Sequence, residues 1–396
     1  MELFLYCDGD LILAGPLWEG SKCSDHDKKH LSSFDIALQS TWVEKMKLGL
    51  FRYNLGNIKT RILPGVFEFV AQLNIERGLE RRKPQDIQSV QQSFDPHQFN
   101  FNKIKPEEIL FQIRKQFVPR KRGLNAEFQI QDSALDITCQ PAGVPSLQSS
   151  SNITDQNCVA RNKDKPNSIL AVINVSPLEF GHVLFIPEPT LCLPQILTAD
   201  LIQFGIESIF LSANPCFRVG FNSLGGFASV NHLHLHGFYL NYKLFIETAC
   251  TEALCPGKSF HALSDFPAPG FLFYTDGKDL QELAHNIHKV TNYLVAQNIA
   301  HNLFLTRGSE PGHPVYPVSE GGTRIIIWPR KSGFGAKEET AFNVALCELA
   351  GHLPIKNQED FNNITEASAV TIIQKYLLPK EEFLQLASEL VNILTA

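Results

Sequence analysis

Three histidines, His232, His234 and His236, alternate with leucines in a short stretch that ends Gly-Phe at residue 238. Successive side chains on a β-strand point to opposite faces, so a strand over residues 230–240 would place all three imidazoles on one face. Two chemistries are open to such a face: a histidine nucleophile with two helper imidazoles, or a metal site. The plain alternative is an exposed strand face that is rich in histidine.

A glycine-containing segment precedes these histidines. Gly225 and Gly226 allow the backbone to turn sharply or to approach a ligand closely, and Asn222 and Ser229 flank the pair. Backbone amides and hydroxyl groups in such a segment can form a concave anion site, and phosphoryl transfer needs preorganised donors of this kind. The segment therefore predicts phosphate binding by Asn222, Gly225, Gly226 and Ser229.

The spacing of the three histidines favours nucleophilic catalysis over a metal site. On a strand, the first and third histidines lie about 13 Å apart at Cα, so all three can ligate one ion only if the strand bends or another ligand joins them. The middle imidazole, His234, can instead attack a phosphorus atom while a carbonyl group holds its other nitrogen. The sequence thus predicts covalent phosphoryl transfer through His234, with metal binding as the alternative.

The composition restricts the class of protein. The chain has 396 residues, a formal net charge of −6 and a pI near 6.1, which argues against non-specific nucleic-acid binding as its main role. Nine cysteines are scattered without a Cys-x-x-Cys pair, as expected for free thiols in a reducing compartment. With neither a signal peptide nor a long apolar stretch in the sequence, we expect a soluble cytoplasmic protein that does not act at a membrane.

Two series of strands and helices are predicted to position the candidate residues. The first series has strands at 169–175, 182–187, 217–221 and 230–240, and a helix at 198–211. The second series has strands at 270–274, 302–306 and 324–328, and helices at 280–294 and 338–349. Only the first series carries the histidines, so the order indicates a degenerate internal repeat. Asp35 is predicted to cap an earlier helix that extends to about residue 50.

The same features divide the chain into four segments. Residues 1–133 are predicted to pack on the catalytic fold and complete it. Residues 134–167 are rich in Pro, Gly, Ser and Asn, cannot bury much apolar area and predict a mobile linker loop. Residues 168–245 hold the histidines and form the catalytic half, whereas residues 246–396 form a second, degenerate half.

Several motifs carry a resemblance to a known family. The histidine stretch resembles the signature of the histidine triad superfamily, whose earlier hairpin is matched by Asn174, Pro177 and His182. Blocks at 51–54, 72–85, 99–104, 302–308 and 324–330 are similar to the animal GDP-D-glucose phosphorylases. The related plant GDP-L-galactose phosphorylases tend to carry Gln where this chain has His236. The resemblance implies an α+β fold of the histidine-triad and galactose-1-phosphate-uridylyltransferase kind, with two related halves of antiparallel sheet flanked by helices.

The resemblance also implies a reaction. His234 matches the nucleophile that takes GMP from GDP-D-glucose and releases α-D-glucose 1-phosphate, before inorganic phosphate accepts the GMP and leaves as GDP. His236 matches the position that contacts the phosphate or the leaving oxygen, and His232 matches the position that supports the nucleophile. His182 matches a hairpin histidine that completes the hydrogen bonds. GDP-hexose and inorganic phosphate are the expected partners. No cofactor or zinc is expected, because the uridylyltransferase's cysteine-rich zinc pattern is missing, and a homodimer is allowed.

Alternatives stay open for the function and for individual residues. The same site could use water as the acceptor and act as a nucleotide hydrolase, or it could bind a nucleotide without catalysis. A metal-binding module is the remaining alternative. His182 could be a structural histidine at a strand end, Asn222 could cap a turn, and Ser229 could be an ordinary strand serine.

Overall fold

The computed structural model describes residues 1–16, 22, 31–82, 84–116, 168–312, 320–334 and 341–396, so the predicted linker at 134–167 lies outside the described residues. The strands are β1 (Leu3–Tyr6), β2 (Gly15–Pro16), β3 (Lys59–Ile62), β4 (Val70–Leu73), β5 (Ile109–Lys115), β6 (Ile169–Ile173), β7 (Val183–Pro187), β8 (Phe217–Asn222), β9 (Leu235–Tyr239), β10 (Glu252–Cys255), β11 (Phe260–Leu263), β12 (Gly270–Thr275), β13 (Ala300–Gly308), β14 (Glu320–Arg330) and β15 (His352–Ile355). The α-helices are α1 (Ser33–Lys47), α2 (Ile75–Glu80), α3 (Ala199–Leu211), α4 (Leu280–Ala296), α5 (Leu346–Leu349), α6 (Gln358–Asn363), α7 (Glu366–Gln374) and α8 (Lys380–Thr395).

Most of the strands in the described part of the chain belong to one twelve-stranded sheet. Eleven of them follow the order β1-β5-β6-β7-β9-β8-β13-β14-β12-β11-β10, and β2 pairs with β14. The sheet order is symmetric about the antiparallel pair β8–β13: β9, β7 and β6 follow β8 on one side, and β14, β12 and β11 follow β13 on the other. In chain order, each set with its central strand consists of a hairpin (β6–β7 or β11–β12), a helix (α3 or α4) and a second hairpin (β8–β9 or β13–β14). The α+β fold of sheets flanked by helices is as predicted, although β1–β5 and β15–β4 pair in parallel.

Apolar side chains cover both faces of this sheet. On β13, Leu303 and Leu305 belong to the cluster under α3 and α4, whereas Phe304 between them belongs to the cluster on the opposite face. Helix α3 follows the predicted pattern: Thr198 caps it by accepting a hydrogen bond from Leu201 N, and its apolar side chains are buried. Each such Leu or Ile contributes about 1.5–3 kcal/mol on burial, so packing on both faces stabilises the sheet that carries the candidate residues at its strand ends.

The N-terminal residues extend the same sheet. Strand β1 pairs with β5, and β5 pairs with β6 next to the histidine-bearing strands. Helix α1 is capped by Ser32, not by Asp35 as predicted. The Asp35 side chain lies in the first turn and is fully buried, where it accepts hydrogen bonds from Ser212 Oγ at 2.6 Å and from Tyr239 Oη at 2.8 Å. The carboxylate therefore fastens α1 to the end of β9.

Two predicted elements are wrong in length. Of the helix expected over 338–349, the described residues form only the single turn α5, and 338–340 lie outside the described range. Upstream of α5 the backbone is held by tertiary contacts: Ala341 O accepts from Lys356 N, and Val344 O accepts from the Arg330 guanidinium. The strand expected over 230–240 begins only at Leu235, because the side chain of Gln195 bonds to the main chain of His234 just before it.

Two further properties concern the described residues only. None of the helices they form is long and apolar enough to cross a membrane. The described cysteines are free thiols, in line with the scattered pattern: Cys7, Cys192, Cys216, Cys250, Cys255 and Cys347.

Candidate active site

Strands β8 and β9 separate at the histidine motif because a glutamine side chain enters between them. Their ladder joins Phe217–Gly220 to His236–Tyr239, and two steps further the register would oppose Asn222 and His234. Instead, Gln195 Oε1 accepts a hydrogen bond from His234 N at 3.0 Å. Gln195 Nε2 donates to Asn222 O at 3.0 Å and lies 3.2 Å from His234 O. The side-chain amide of Gln195 thus replaces the ladder and fixes the main chain of His234.

The hydrogen bonds of His234 define its tautomer. Its Nδ1 lies 2.8 Å from the main-chain carbonyl oxygen of His232, and a carbonyl can only accept, so Nδ1 carries the proton. Burial lowers the pKa of His234 to about 4, despite the hydrogen bond to the carbonyl that raises it. At neutral pH the ring is therefore uncharged, and Nε2 keeps the lone pair that a nucleophile needs.

His182 and His236 are hydrogen-bonded to each other, and both carry their proton on Nε2, whereas His234 carries its proton on Nδ1. Leu178 N donates to His182 Nδ1 at 2.8 Å, so the proton of this imidazole is on Nε2, which lies 3.1 Å from His236 Nδ1. His236 Nδ1 then accepts, and its own proton is on Nε2. Burial lowers the pKa of both rings well below the ordinary value, with smaller contributions from neighbouring cations and imidazoles. His236 is accordingly a neutral hydrogen-bond donor.

His232 contacts His234 through its main-chain carbonyl group, and its ring is engaged elsewhere. The carbonyl group orients His234, whereas ring Nδ1 accepts a hydrogen bond from Phe101 N at 3.0 Å. The ring packs against Phe94 and Phe101 at centroid distances of 5.0 and 5.3 Å. Because the strand begins after His234, the predicted single face with three imidazoles is replaced by a close pair, His234 and His236, with ring centroids 5.0 Å apart.

A cavity of about 630 Å³ is lined by His236 of this pair but not by His234. Of the predicted residues, His182, His236, Asn222 and Ser229 line it, and the remaining four do not. His234 is only 4% exposed, so His236 is the member of the pair that a ligand in the cavity meets first. Basic side chains from outside the histidine half also line the cavity: Arg77, Arg81, Arg82 and Lys356.

Asn222 faces the cavity with its amide oriented by neighbours. Its Oδ1 accepts from Asn302 Nδ2 at 2.6 Å and from Leu346 N at 3.1 Å. The oxygen is thereby occupied, and the two N–H donors of Asn222 Nδ2 remain for a ligand. Donors in this position suit an anion, and phosphate binding by Asn222 stays a prediction.

The two glycines form a turn and do not border the cavity. Gly225 has φ +71°, and the Gly226 amide donates to Ser223 O at 3.0 Å. The Gly226 carbonyl accepts from Asn302 Nδ2 at 2.7 Å, and a Cβ at this position would lie 2.8 Å from His301 O. The Gly226 amide is therefore not free to bind an anion, because it donates inside the turn. Glycine is needed at this position because the backbone approaches β13 closely.

Two residues that hold the site were not identified from the sequence. Gln195 is 39 positions before His234 in a loop, and no spacing pattern connects the two. Asn302 lies in one of the blocks that carry the family resemblance, but its role depends on the β8–β13 register, which opposes it to Asn222. The described residues contain no group of three or more His, Cys, Asp or Glu side chains arranged as a metal site.

Comparison with known proteins assigns the chain to a family. The family model "GDPGP1-like, N-terminal domain" matches residues 33–135 and 146–238, and "GDPGP1-like, C-terminal domain" matches 245–396. The chain belongs to the GDPGP1-like family. It is 55% identical to GDP-D-glucose phosphorylase 1 of Xenopus laevis (100% of this chain and 96% of the relative) and 47% identical to the Homo sapiens protein of that name (99% and 92%). It is 32% identical to GDP-L-galactose phosphorylase 1 of Arabidopsis thaliana (86% and 70%).

A solved structure shares the fold. The crystal structure of yeast Ap4A phosphorylase Apa2 in complex with Ap4A aligns with a TM-score of 0.52 at 13% identity, over 88% of this chain and 98% of that one. The predicted fold class is therefore confirmed, and the predicted family is confirmed by the relatives.

Proposed function

We propose that this protein is a GDP-D-glucose phosphorylase, a nucleotidyltransferase that moves GMP from GDP-D-glucose to inorganic phosphate through a guanylyl-histidine on His234. Relatives 46–55% identical along the whole chain carry that name. The single structural observation that carries the mechanism is the bond from His234 Nδ1 to the His232 carbonyl, because it leaves Nε2 with a lone pair in a ring that is neutral at pH 7.

In the first half-reaction, Nε2 of His234 attacks the α-phosphorus of GDP-D-glucose. A P–N bond forms, the bond from the α-phosphorus to the bridging oxygen breaks, and that oxygen leaves with its electron pair as part of α-D-glucose 1-phosphate. The imidazole becomes cationic, and the His232 carbonyl on Nδ1–H stabilises this charge. His236 Nε2–H and the amide donors of Asn222 serve the phosphoryl oxygens, and Ser229 adds a hydroxyl group at the cavity wall.

In the second half-reaction, an oxygen of inorganic phosphate attacks the same phosphorus. The P–N bond breaks, its electron pair returns to Nε2, and GDP leaves. We place this chemistry in the half formed by residues 168–245, with residues 1–133 completing the sheet through β1 and β5 and residues 246–396 supplying the second half. A cytoplasmic location, which the free thiols favour, and a homodimer belong to the same proposal.

The test is mass spectrometry of the protein mixed with GDP-D-glucose in the absence of phosphate. We expect a mass gain of one GMP on His234 that added phosphate discharges as GDP, and no gain in the His234→Asn variant. Discharge by water at the same rate as by phosphate would instead identify the nucleotide hydrolase. Absence of any adduct or turnover would leave a protein that only binds a nucleotide.

A further inference from the structure

The four imidazoles of the site supply hydrogen bonds but no positive charge at neutral pH. His182, His232, His234 and His236 all have lowered pKa values, with burial as the largest cause. The proposed reaction nevertheless brings a diphosphate and then inorganic phosphate into the cavity. Compensation of that negative charge must come from cations on other elements that line the same cavity.

Arg77 and Arg81 are placed to do this. They stand four residues apart on α2 and at its C-terminal cap, so they share one face of the helix, and both line the cavity. Asn74, the N-cap of α2, accepts from Arg77 N at 3.1 Å and lies 3.3 Å from Leu178 O. Leu178 N in turn holds His182. Consecutive hydrogen bonds therefore connect the helix that carries the arginines to the pair of His182 and His236.

No ion pair within the described residues joins either arginine to a carboxylate, although the charges of both arginines act on Glu348, which lines the same cavity. Arg77 Nη1 donates to Ser176 O, and no hydrogen-bond or ion-pair partner of the Arg81 guanidinium is found among the described residues. Burial, followed by the charge of Arg77, lowers the pKa of Arg81 to about 10, so the Arg81 guanidinium stays charged at neutral pH. Like charges at this spacing destabilise a helix, which is a cost that a bound anion would remove.

The other two cations of the cavity are already engaged. The Arg82 guanidinium stacks 3.2 Å from the centroid of the Phe99 ring, and Lys356 Nζ donates to Asn343 Oδ1 at 2.9 Å. Arg77 and Arg81 are also the cations whose charge acts on His182 and His236. The pair thus combines proximity to the reacting histidines with the guanidinium of Arg81, which has no bonded partner among the described residues, and with the donors of Arg77 that its bond to Ser176 O leaves over.

We infer that Arg77 and Arg81 form a phosphate-monoester subsite that binds the phosphate of the leaving sugar 1-phosphate and then the acceptor phosphate. In-line displacement at the α-phosphorus requires the leaving and entering oxygens to occupy one position opposite His234 Nε2, so one subsite serves both. By concentrating phosphate there, the pair makes phosphate and not water the acceptor. This inference rests on the proposed function and identifies the residues that select the acceptor.

The test separates the two half-reactions in the full chain. The rate of GMP discharge from preformed guanylyl-His234 is measured against the concentration of inorganic phosphate, then of glucose 1-phosphate, and in water alone. For Arg81→Gln we expect the half-saturating concentration of both phosphates to rise about tenfold or more, with discharge by water unchanged. Arg81→Lys should recover part of the loss, and Arg114→Gln, which removes an exposed arginine of β5 away from the cavity, should change neither.

Unchanged phosphate dependence in Arg81→Gln would overturn the inference, as would an equal loss in Arg114→Gln. A separate readout covers failure of the proposed function itself. If the native protein forms no guanylyl adduct, stabilisation of the resting protein by inorganic phosphate against heat still reports on the subsite. This stabilisation should be present in the native protein and in Arg114→Gln, and weaker in Arg81→Gln; equal stabilisation in all three would refute the subsite.

Discussion

Replacing Gln195 by methionine should release the main chain of His234, the proposed nucleophile, while approximately keeping the shape of the side chain. Gln195 makes three hydrogen bonds, at 3.0, 3.0 and 3.2 Å, to the main chains of Asn222 and His234. At about 1 kcal/mol for each bond, their loss lowers the free energy of unfolding by about 3 kcal/mol. The same loss frees the His234 backbone, and a displacement of about 1 Å at a reacting atom costs about 100-fold in rate.

Urea unfolding measures the first effect, and quenched-flow mass spectrometry of GMP transfer to His234 at saturating GDP-D-glucose measures the second. The matched control is Gln112→Met on β5, which removes a side-chain hydrogen bond of 2.6 Å to Ser168 outside the site. This control should lose stability but keep the rate. A Gln195→Met protein that is folded, less stable and within threefold of the native rate would refute the positioning role, since Gln195 would then serve only the fold.

Three further predictions concern the histidines. His234→Asn should abolish both half-reactions while GDP binding, measured by calorimetry, stays within about tenfold, because only the nucleophile is lost; residual turnover would contradict the covalent route. His236→Leu should lower the rate of GMP transfer about 100-fold, and His236→Gln should lower it less because an amide can still donate; equal losses would contradict a donor role. The free energy of unfolding should fall as pH decreases from 6.5 to about 4, because the unfolded chain protonates its histidines near pH 6.5 whereas folded His232, His234 and His301 have pKa values of about 4. Urea unfolding at pH 7 and pH 5 measures this difference, and equal stability at both would show that these rings are not neutral through burial.

The parts of the site that depend on the alternation of side chains along a strand could be predicted from the sequence. Leu235 and His236 point to opposite sides of β9 as the pattern requires: Leu235 is buried in the core, and His236 lines the cavity. The same alternation overestimated the strand, because the entry of Gln195 at His234 depends on a loop that is distant in sequence. The prediction of a helix over 338–349 is wrong for a similar reason, since contacts from Arg330 of β14 and from Lys356, just after β15, hold the backbone at Val344 and Ala341. Local patterns predict which residues face each other within an element, whereas the groups that orient them come from elsewhere in the chain.

Residues 246–396, which lack the three-histidine motif, supply contacts that orient a residue of the candidate site. The register of the central pair opposes Asn222 of β8 to Asn302 of β13. Asn302 Nδ2 fixes both Asn222 Oδ1 and the Gly226 carbonyl, and Arg330 Nη1 lies 3.3 Å from Asn302 Oδ1. Leu346 N from α5 completes the contacts to Asn222. Strands β13 and β14 and helix α5 therefore orient the Asn222 amide, which lines the cavity, across a continuous sheet. The candidate site thus depends on residues 246–396 as well as on the segment that carries His234.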